Sequence, residues 1–261
     1  MPSLYAHYRF GNLILPSLPA DVRGAVTRHR DLFDAGLQGP DFFFYYKPTS
    51  QTAVGSLGRD IHLLTGRDFF TEVCRWLSLT SDEAEQVYLY GLLGHYCLDS
   101  LCHPYVCEQS RLGKAGHNAI ESEFDRHLLL LDGVKRPHAY PRARLLRLKT
   151  EDFHLVSRFY PPASPEQIRE AVAATRQITG LITCGNPVHR LAATAVLHSL
   201  GNERIGLMVP PKSNPALAES NETLRSLFNQ ALLLYPALLE QLRDHLSFRE
   251  PFGPEFDRIF G

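Results

Sequence analysis

Apolar positions recur along this chain at helical spacing, and period-two alternation bounded by turn residues is absent. Between residues 19 and 37, Val22, Ala25, Val26, Leu32, Phe33 and Leu37 mark one face, and Gly39-Pro40 ends the pattern. A second helix is predicted from Asp68 to Leu77. The segment Thr80-Ser81-Asp82-Glu83 reads as a helix start, with an N-cap candidate three residues before Glu83. Its helix should continue through Tyr88, Leu92, Leu93 and Tyr96 to about Cys102, with Pro104 marking its end. Gly113 to Gly116 is a break, and the next helix runs from His117 to about Leu131. Ser164-Pro165-Glu166 opens another that reaches about Thr179, and residues 186–200 and 220–246 give two more. No internal repeat or low-complexity tract interrupts this order. The expected fold is all-α, one multi-helix domain over 1–261, with helices packed side by side around a polar site. The Pro- and Arg-rich stretch 135–149 would connect its two halves.

Composition narrows the function classes. A hydrophobic content of 44% and a charged content of 21% fit a globular chain. Twenty-seven basic residues against 28 acidic ones leave a formal charge of -1, which argues against a dedicated polyanion binder and against a stable nucleic-acid complex. The first residues lack the basic start, apolar stretch and small-residue cleavage site of a signal peptide. The longest apolar run, Leu128 to Leu131, is far too short to span a bilayer. A cytoplasmic protein is expected on these grounds. The five cysteines, Cys74, Cys97, Cys102, Cys107 and Cys184, show neither a disulfide framework nor CxxC spacing, and read as reduced thiols.

The chemistry is concentrated between the predicted helices at 83–102 and 117–131. His95, Asp99 and His103 stand at i, i+4 and i+8, and successive fours turn through about 400°, so their side chains share one narrow stripe. His117 and Glu121 repeat the i, i+4 device on the next helix. A single such pair is ordinarily a hydrogen-bonded pair without a ligand. Five of these residues in two consecutive helices would leave many buried polar groups seeking partners, and together they offer the neutral nitrogens and anionic oxygens of a metal site. The donor set suits zinc, and manganese or iron as well. Asp125, eight residues after His117, lies near the same stripe and either orients a ligand or faces solvent.

The pattern Gly-Leu-Leu-Gly-His95-Tyr-Cys-Leu-Asp99-Ser-Leu-Cys-His103-Pro, followed by His117-Asn-Ala-Ile-Glu121, resembles the zinc-dependent phospholipase C family, which shares its helical fold with the S1/P1-type nucleases. Upstream positions match in order: His7 in His-Tyr-Arg-Phe-Gly, Asp41 in Gly-Pro-Asp-Phe-Phe, and His62 in Arg-Asp-Ile-His. The likeness covers roughly residues 1–130, the metal-ligand half; residues 131–261 complete the helical fold in a role the sequence leaves open.

The resemblance implies two to three zinc ions. His103, His117 and Glu121 would hold one, and Asp41, His62, His95 and Asp99 a second. Asp99 would also bridge to a third, completed by His7 and by the terminal amine of Met1 or Pro2; His29 is a substitute candidate for His7. Zinc lowers the pKa of bound water toward neutrality, Asp41 would orient or deprotonate the nucleophile, and the metal charges would neutralise the phosphoryl oxygens. Phe42, directly after Asp41, and Tyr5, close to His7, are candidates for lining the headgroup pocket; the alternative for the 42–46 aromatics is simple core filling. The implied substrate is a phospholipid or another phosphodiester. A nuclease or nucleotide phosphoesterase on the same scaffold, and a metal-bound binding protein with little activity, are the competing readings. The basic stretch Lys135 to Lys149 either meets anionic lipid headgroups or a nucleic-acid backbone, or is a solvated loop.

Overall fold

The computed structural model describes residues 4–48, 50, 52–77 and 82–261. Among the described residues it contains α-helices and short 3₁₀ turns and no strand, so the all-α expectation holds. The α-helices are α1 (Leu4–Ile14), α2 (Ala20–Arg28), α3 (Arg30–Gln38), α4 (Ala53–His62), α5 (Gly66–Leu77), α6 (Glu83–Arg111), α7 (His117–Leu131), α8 (Asp152–Ser157), α9 (Pro165–Ile182), α10 (Pro187–Leu200) and α11 (Ala218–Phe248).

The organising element is α6. Its sequence is apolar all round from Val87 to Leu98, the signature of a helix surrounded by others. Asp82 caps it, its side chain accepting the Ala84 N–H at 2.8 Å. The expected cap three residues before Glu83 falls at Thr80, outside the described residues. Pro104 does not end α6 as expected: the helix continues to Arg111. Proline removes one helical N–H and crowds the preceding turn, but Pro104 sits on the exposed side, where the disturbance disrupts no core packing.

Helix α3 crosses α6 unusually closely. A Cβ on Gly36 would collide with the Tyr88 carbonyl, and one on Gly91 with the Phe33 carbonyl, so the two glycines let the backbones meet. The helix expected over 19–37 is two: at His29 the backbone leaves helical geometry (φ -118°, ψ 40°), and α3 turns away to reach α6. Helix α11 lies along the other side of α6, its Tyr235 hydroxyl donating to the Tyr90 carbonyl at 2.9 Å. One continuous buried cluster runs from Tyr5 to Phe260, and a smaller one gathers Ile182, Cys184, Leu197 and Met208 around α10. All five cysteines are free.

After α11 the chain returns across the start of α5. Arg67 donates to the Phe252 and Gly253 carbonyls at 2.7 and 3.0 Å and pairs with Asp257. The Gly66 N–H meets the Arg258 carbonyl at 2.9 Å, and Tyr96 donates to the carbonyls of Glu255 and Arg258. This tail buries Phe252, Phe256 and Phe260. No described helix is long and apolar enough to cross a membrane.

Candidate metal centre

Five elements deliver eight side chains to one place. His7 comes from the middle of α1, Asp41 from the 3₁₀ helix Gly39–Tyr45, His62 from the end of α4, His95, Asp99 and His103 from α6, and His117 and Glu121 from the first turns of α7. Seven of the eight are buried, while the His117 side chain retains 26% of its exposure. Four overlapping groups have donor atoms within 4.8 Å of one another: His7, His95 and Asp99; Asp41, His62 and His95; His62, Asp99 and His103; His103, His117 and Glu121. All eight residues singled out from the sequence are thus brought together.

Asp99 is the hub. Imidazole Nε2 atoms of His7, His62, His95 and His103 approach its carboxylate at 3.1, 3.4, 3.4 and 3.5 Å. Asp41 lies 3.4 Å from the same Nε2 of His62. Glu121 stands 3.2 Å from Nε2 of both His103 and His117. The opposite ring nitrogens explain the orientation. Nδ1 of His62 donates to the Gly58 carbonyl at 2.5 Å and Nδ1 of His95 to the Leu37 carbonyl at 3.2 Å, which leaves each Nε2 lone pair directed inward. Gly39 makes room for this. It holds φ +52°, and a Cβ there would lie 2.7 Å from the His95 ring.

The electrostatics follow from that crowding. Burial alone would raise the Asp99 acid, yet His103, His95 and His7 outweigh it and hold the carboxyl well below the usual range. Burial likewise opposes the Glu121 carboxylate, and His117 with His103 reverses this so that it too titrates lower. Burial lowers the His95 imidazole strongly, keeping it neutral as a metal donor must be. For His117 burial also acts downward, but the adjacent Glu121 carboxylate wins and raises it to about 10.

The donor set fits divalent metal on structural grounds. The Nε2 atoms of His62, His95 and His103, with Oδ2 of Asp99 and Oε2 of Glu121, are buried and lack a hydrogen-bond partner. Each such atom costs about 1–3 kcal/mol if left unsatisfied, so a cluster of five calls for a shared cation. A space of about 20 Å³ bounded by His7, Asp99, His103 and Glu121 is large enough for one small ion or water.

The sequence profile of the family described as zinc dependent phospholipase C matches residues 6–158. The chain belongs to that family. The matched stretch contains all eight clustered side chains and ends before α9, so the helices α9 to α11 lie beyond the match. By its description the family is one of zinc-dependent hydrolases, which agrees with the nitrogen and oxygen donors gathered here. No curated protein and no solved structure matches the chain significantly.

Other expected positions move. Phe42 is 1% exposed and packs against Phe43 and Tyr160, filling core rather than lining a pocket. The next residue but one, Phe44, takes the outward place, its ring 5.5 Å from that of His62. Tyr5 is also structural: its hydroxyl donates to Asp132 at 2.7 Å and its ring meets Tyr140 edge-on. His29 is remote from the cluster and pairs with Glu83 at 3.2 Å. The expected terminal amine donor falls at Met1 or Pro2, outside the described residues.

Asp125 is fully buried, so the solvent-facing alternative is excluded. Its carboxylate accepts the Ala6 and Tyr5 N–H groups at 2.9 and 3.3 Å, capping the start of α1, and it meets Arg142 at 3.6 Å. It therefore positions His7 through the backbone of α1. Arg142, read from the sequence only as part of a basic stretch, is buried and also donates to the Leu207 carbonyl. Phe260 was not singled out either. It lies 6.1 and 6.3 Å from the His95 and His62 rings, while the Gly261 N–H donates to the His62 carbonyl at 3.2 Å.

Proposed function

We propose that this chain is a multi-zinc phosphodiesterase of the phospholipase C type, holding two to three ions. The observation that carries the reading is the set of buried imidazole Nε2 atoms converging on Asp99 and Glu121 without hydrogen-bond partners. In this reading His103, His117 and Glu121 hold one ion. Asp41, His62, His95 and Asp99 hold a second, and Asp99 with His7 contributes to a third. Zinc supplies Lewis acidity there, bringing a water's pKa toward neutrality and balancing negative charge on phosphoryl oxygens.

The chain's own groups do the rest. Asp41, 4% exposed and at the first turn of its 3₁₀ helix, is the group that orients or takes a proton from an attacking water. Nδ1 contacts to Gly58 and Leu37 hold His62 and His95 in place, so no reorganisation is needed when substrate arrives. His117, the one cluster member that reaches solvent, marks the side from which a phosphodiester enters. A phospholipid is the substrate this arrangement suits best, because Phe44 leads from His62 into an apolar cavity. Contact with a lipid surface is supported by Lys135, Arg144, Arg147 and Lys149, which stay exposed while Arg142 is buried.

The test compares zinc-loaded protein and its Asp41→Asn variant on phosphatidylcholine, a chromogenic phosphodiester and single-stranded DNA. The expected outcome is turnover of the first two by the native protein and a loss of about 10²-fold or more in the variant, with the far-ultraviolet circular dichroism unchanged. Undiminished turnover in a metal-replete variant would contradict the role of Asp41, and a preference for DNA would contradict the substrate class.

A further inference from the structure

A cavity of about 670 Å³ opens beside the metal centre. That size is in the range of small-molecule sites. None of the eight clustered side chains lines it, but two of its lining residues adjoin them. Phe44, which lines it, has its ring 5.5 Å from His62, and Asn118, which also lines it, directly follows His117. The remaining walls are mainly aliphatic and come from the end of α9, from α10 and from the 3₁₀ helix Asn202–Leu207: Leu181, Ala193, Val196, Leu197 and Leu207. Nearly all of this wall lies beyond residue 158, outside the stretch that matches the family.

Around the mouth, apolar side chains face outward. Of the lining residues, Leu181, Val196 and Leu200 are 74%, 59% and 48% exposed. Helix α10 has a single buried side chain, Leu197, and its sequence contains no acidic residue. Exposed aliphatic groups at a cavity are costly in water unless something apolar meets them. Packing explains why the wall stays put: Asn118 donates to the Glu203 carbonyl at 3.2 Å, and Arg190 donates to the Val209 carbonyl at 3.0 Å.

We infer that this cavity is a hydrocarbon-chain site, which receives the long apolar chain of the alcohol esterified to the phosphate held at the cluster. The occupant follows from continuity: an apolar space joined through Phe44 and Asn118 to a cluster that suits an anionic headgroup fits a molecule with phosphate at one end and hydrocarbon at the other. The chain site rests on the phosphoesterase reading for what sits at its polar end. Its substrate consequence is selection by chain length, set by α9 and α10 rather than by the metal ligands.

The test is binding of straight-chain alkylphosphonates, from butyl to dodecyl, to zinc-loaded protein by titration calorimetry. Their carbon–phosphorus bond is not hydrolysed, so binding is read without turnover. Affinity should rise roughly fourfold per methylene until the cavity is filled and then level off. Ala192→Trp, which places an indole into the cavity from an exposed position, should move the plateau to shorter chains. Val196→Glu should weaken the dodecyl compound at least tenfold relative to the butyl one. In parallel, the ratio of kcat/KM for a long-chain phosphatidylcholine over a chainless chromogenic diester should fall at least tenfold in both variants. Affinity independent of chain length, or both variants binding like the native protein, would overturn the chain site, as would a dimer that covers α10 and binds no dodecyl compound. Absence of turnover on every diester would instead refute the phosphoesterase reading, and the phosphonate series would still decide the cavity.

Discussion

Four imidazoles around one carboxylate make Asp99 the residue on which the site turns, yet protonation is decided most clearly at its neighbour pair His117 and Glu121. Without metal, Glu121 holds His117 protonated up to about pH 10, so at neutral pH an arriving cation must displace that proton. The same raised value stabilises the metal-free fold below the ordinary histidine pKa of 6.5, and this contribution is lost as pH rises through about 10. Glu121 acts in the opposite sense: its depressed value contributes above the ordinary 4.5 and is lost as pH falls further into acid. Zinc titrated into metal-free protein at pH 7 in buffers of different ionisation enthalpy should therefore show net proton release, and the affinity should weaken toward pH 5. Heats independent of buffer would contradict the His117 assignment. At this scale the sequence was most informative where donors share a helix, since His95, Asp99 and His103 are aligned by the helical repeat itself. It misled at Phe42, because adjacency to Asp41 does not say which side of a 3₁₀ turn faces the core. It was silent on Arg142, whose partners Asp125 and Leu207 are far away in the chain.

Five helices were readable as elements: α5, α7, α9, α10 and α11 lie where the pattern put them, and α9 has the full Ser164–Gln167 capping box. Helices α1 and α4, which carry His7 and His62, were not read as elements, although Thr52 caps α4 by accepting the Gly55 N–H; the glycines in Ala53–His62 lower its helix propensity. The split at His29 and the passage through Pro104 depend on what α3 and α6 pack against, which no local pattern contains. The crossing of those helices gives a measurable consequence. Gly91→Ala should destabilise by about 1–3 kcal/mol in urea unfolding, because the added methyl forces α3 away from α6. Gly24→Ala, in α2, meets only the tip of Arg28 and should be neutral or stabilise by up to about 1 kcal/mol. Equal effects from the two would show that the crossing is not tight.

For the molecule as a whole, the buried donor set makes metal a structural component as well as the reactive one. Eight polar or ionisable side chains meet at the junction of α1, the 3₁₀ helix Gly39–Tyr45, α4, α6 and α7, and without cations several of their atoms are buried and unsatisfied. Removing metal with a strong chelator should lower Tm substantially: a ligand present at about a thousand times its Kd contributes about 4 kcal/mol, which in a chain of this size is on the order of 10 °C. Differential scanning calorimetry before and after chelation, with zinc added back, checks this. An unchanged Tm would mean that the fold tolerates the empty cluster and that the donors are compensated in some other way.

The tail that crosses α5 has a further consequence in the order of synthesis. Glu121 is the last of the eight candidate donors in chain order, so a ribosome delivers the whole set well before it reaches Phe260 and Gly261. The wall behind His62 and His95, however, includes Phe260, and the His62 carbonyl receives the N–H of Gly261. A nascent chain therefore presents its complete set of donors while one side is still open to the cytosol or lumen around it. Metal acquired at that stage is walled in when Phe260 and Gly261 fold over it, and loading of the folded protein has to pass beside His117, the cluster member that keeps exposure.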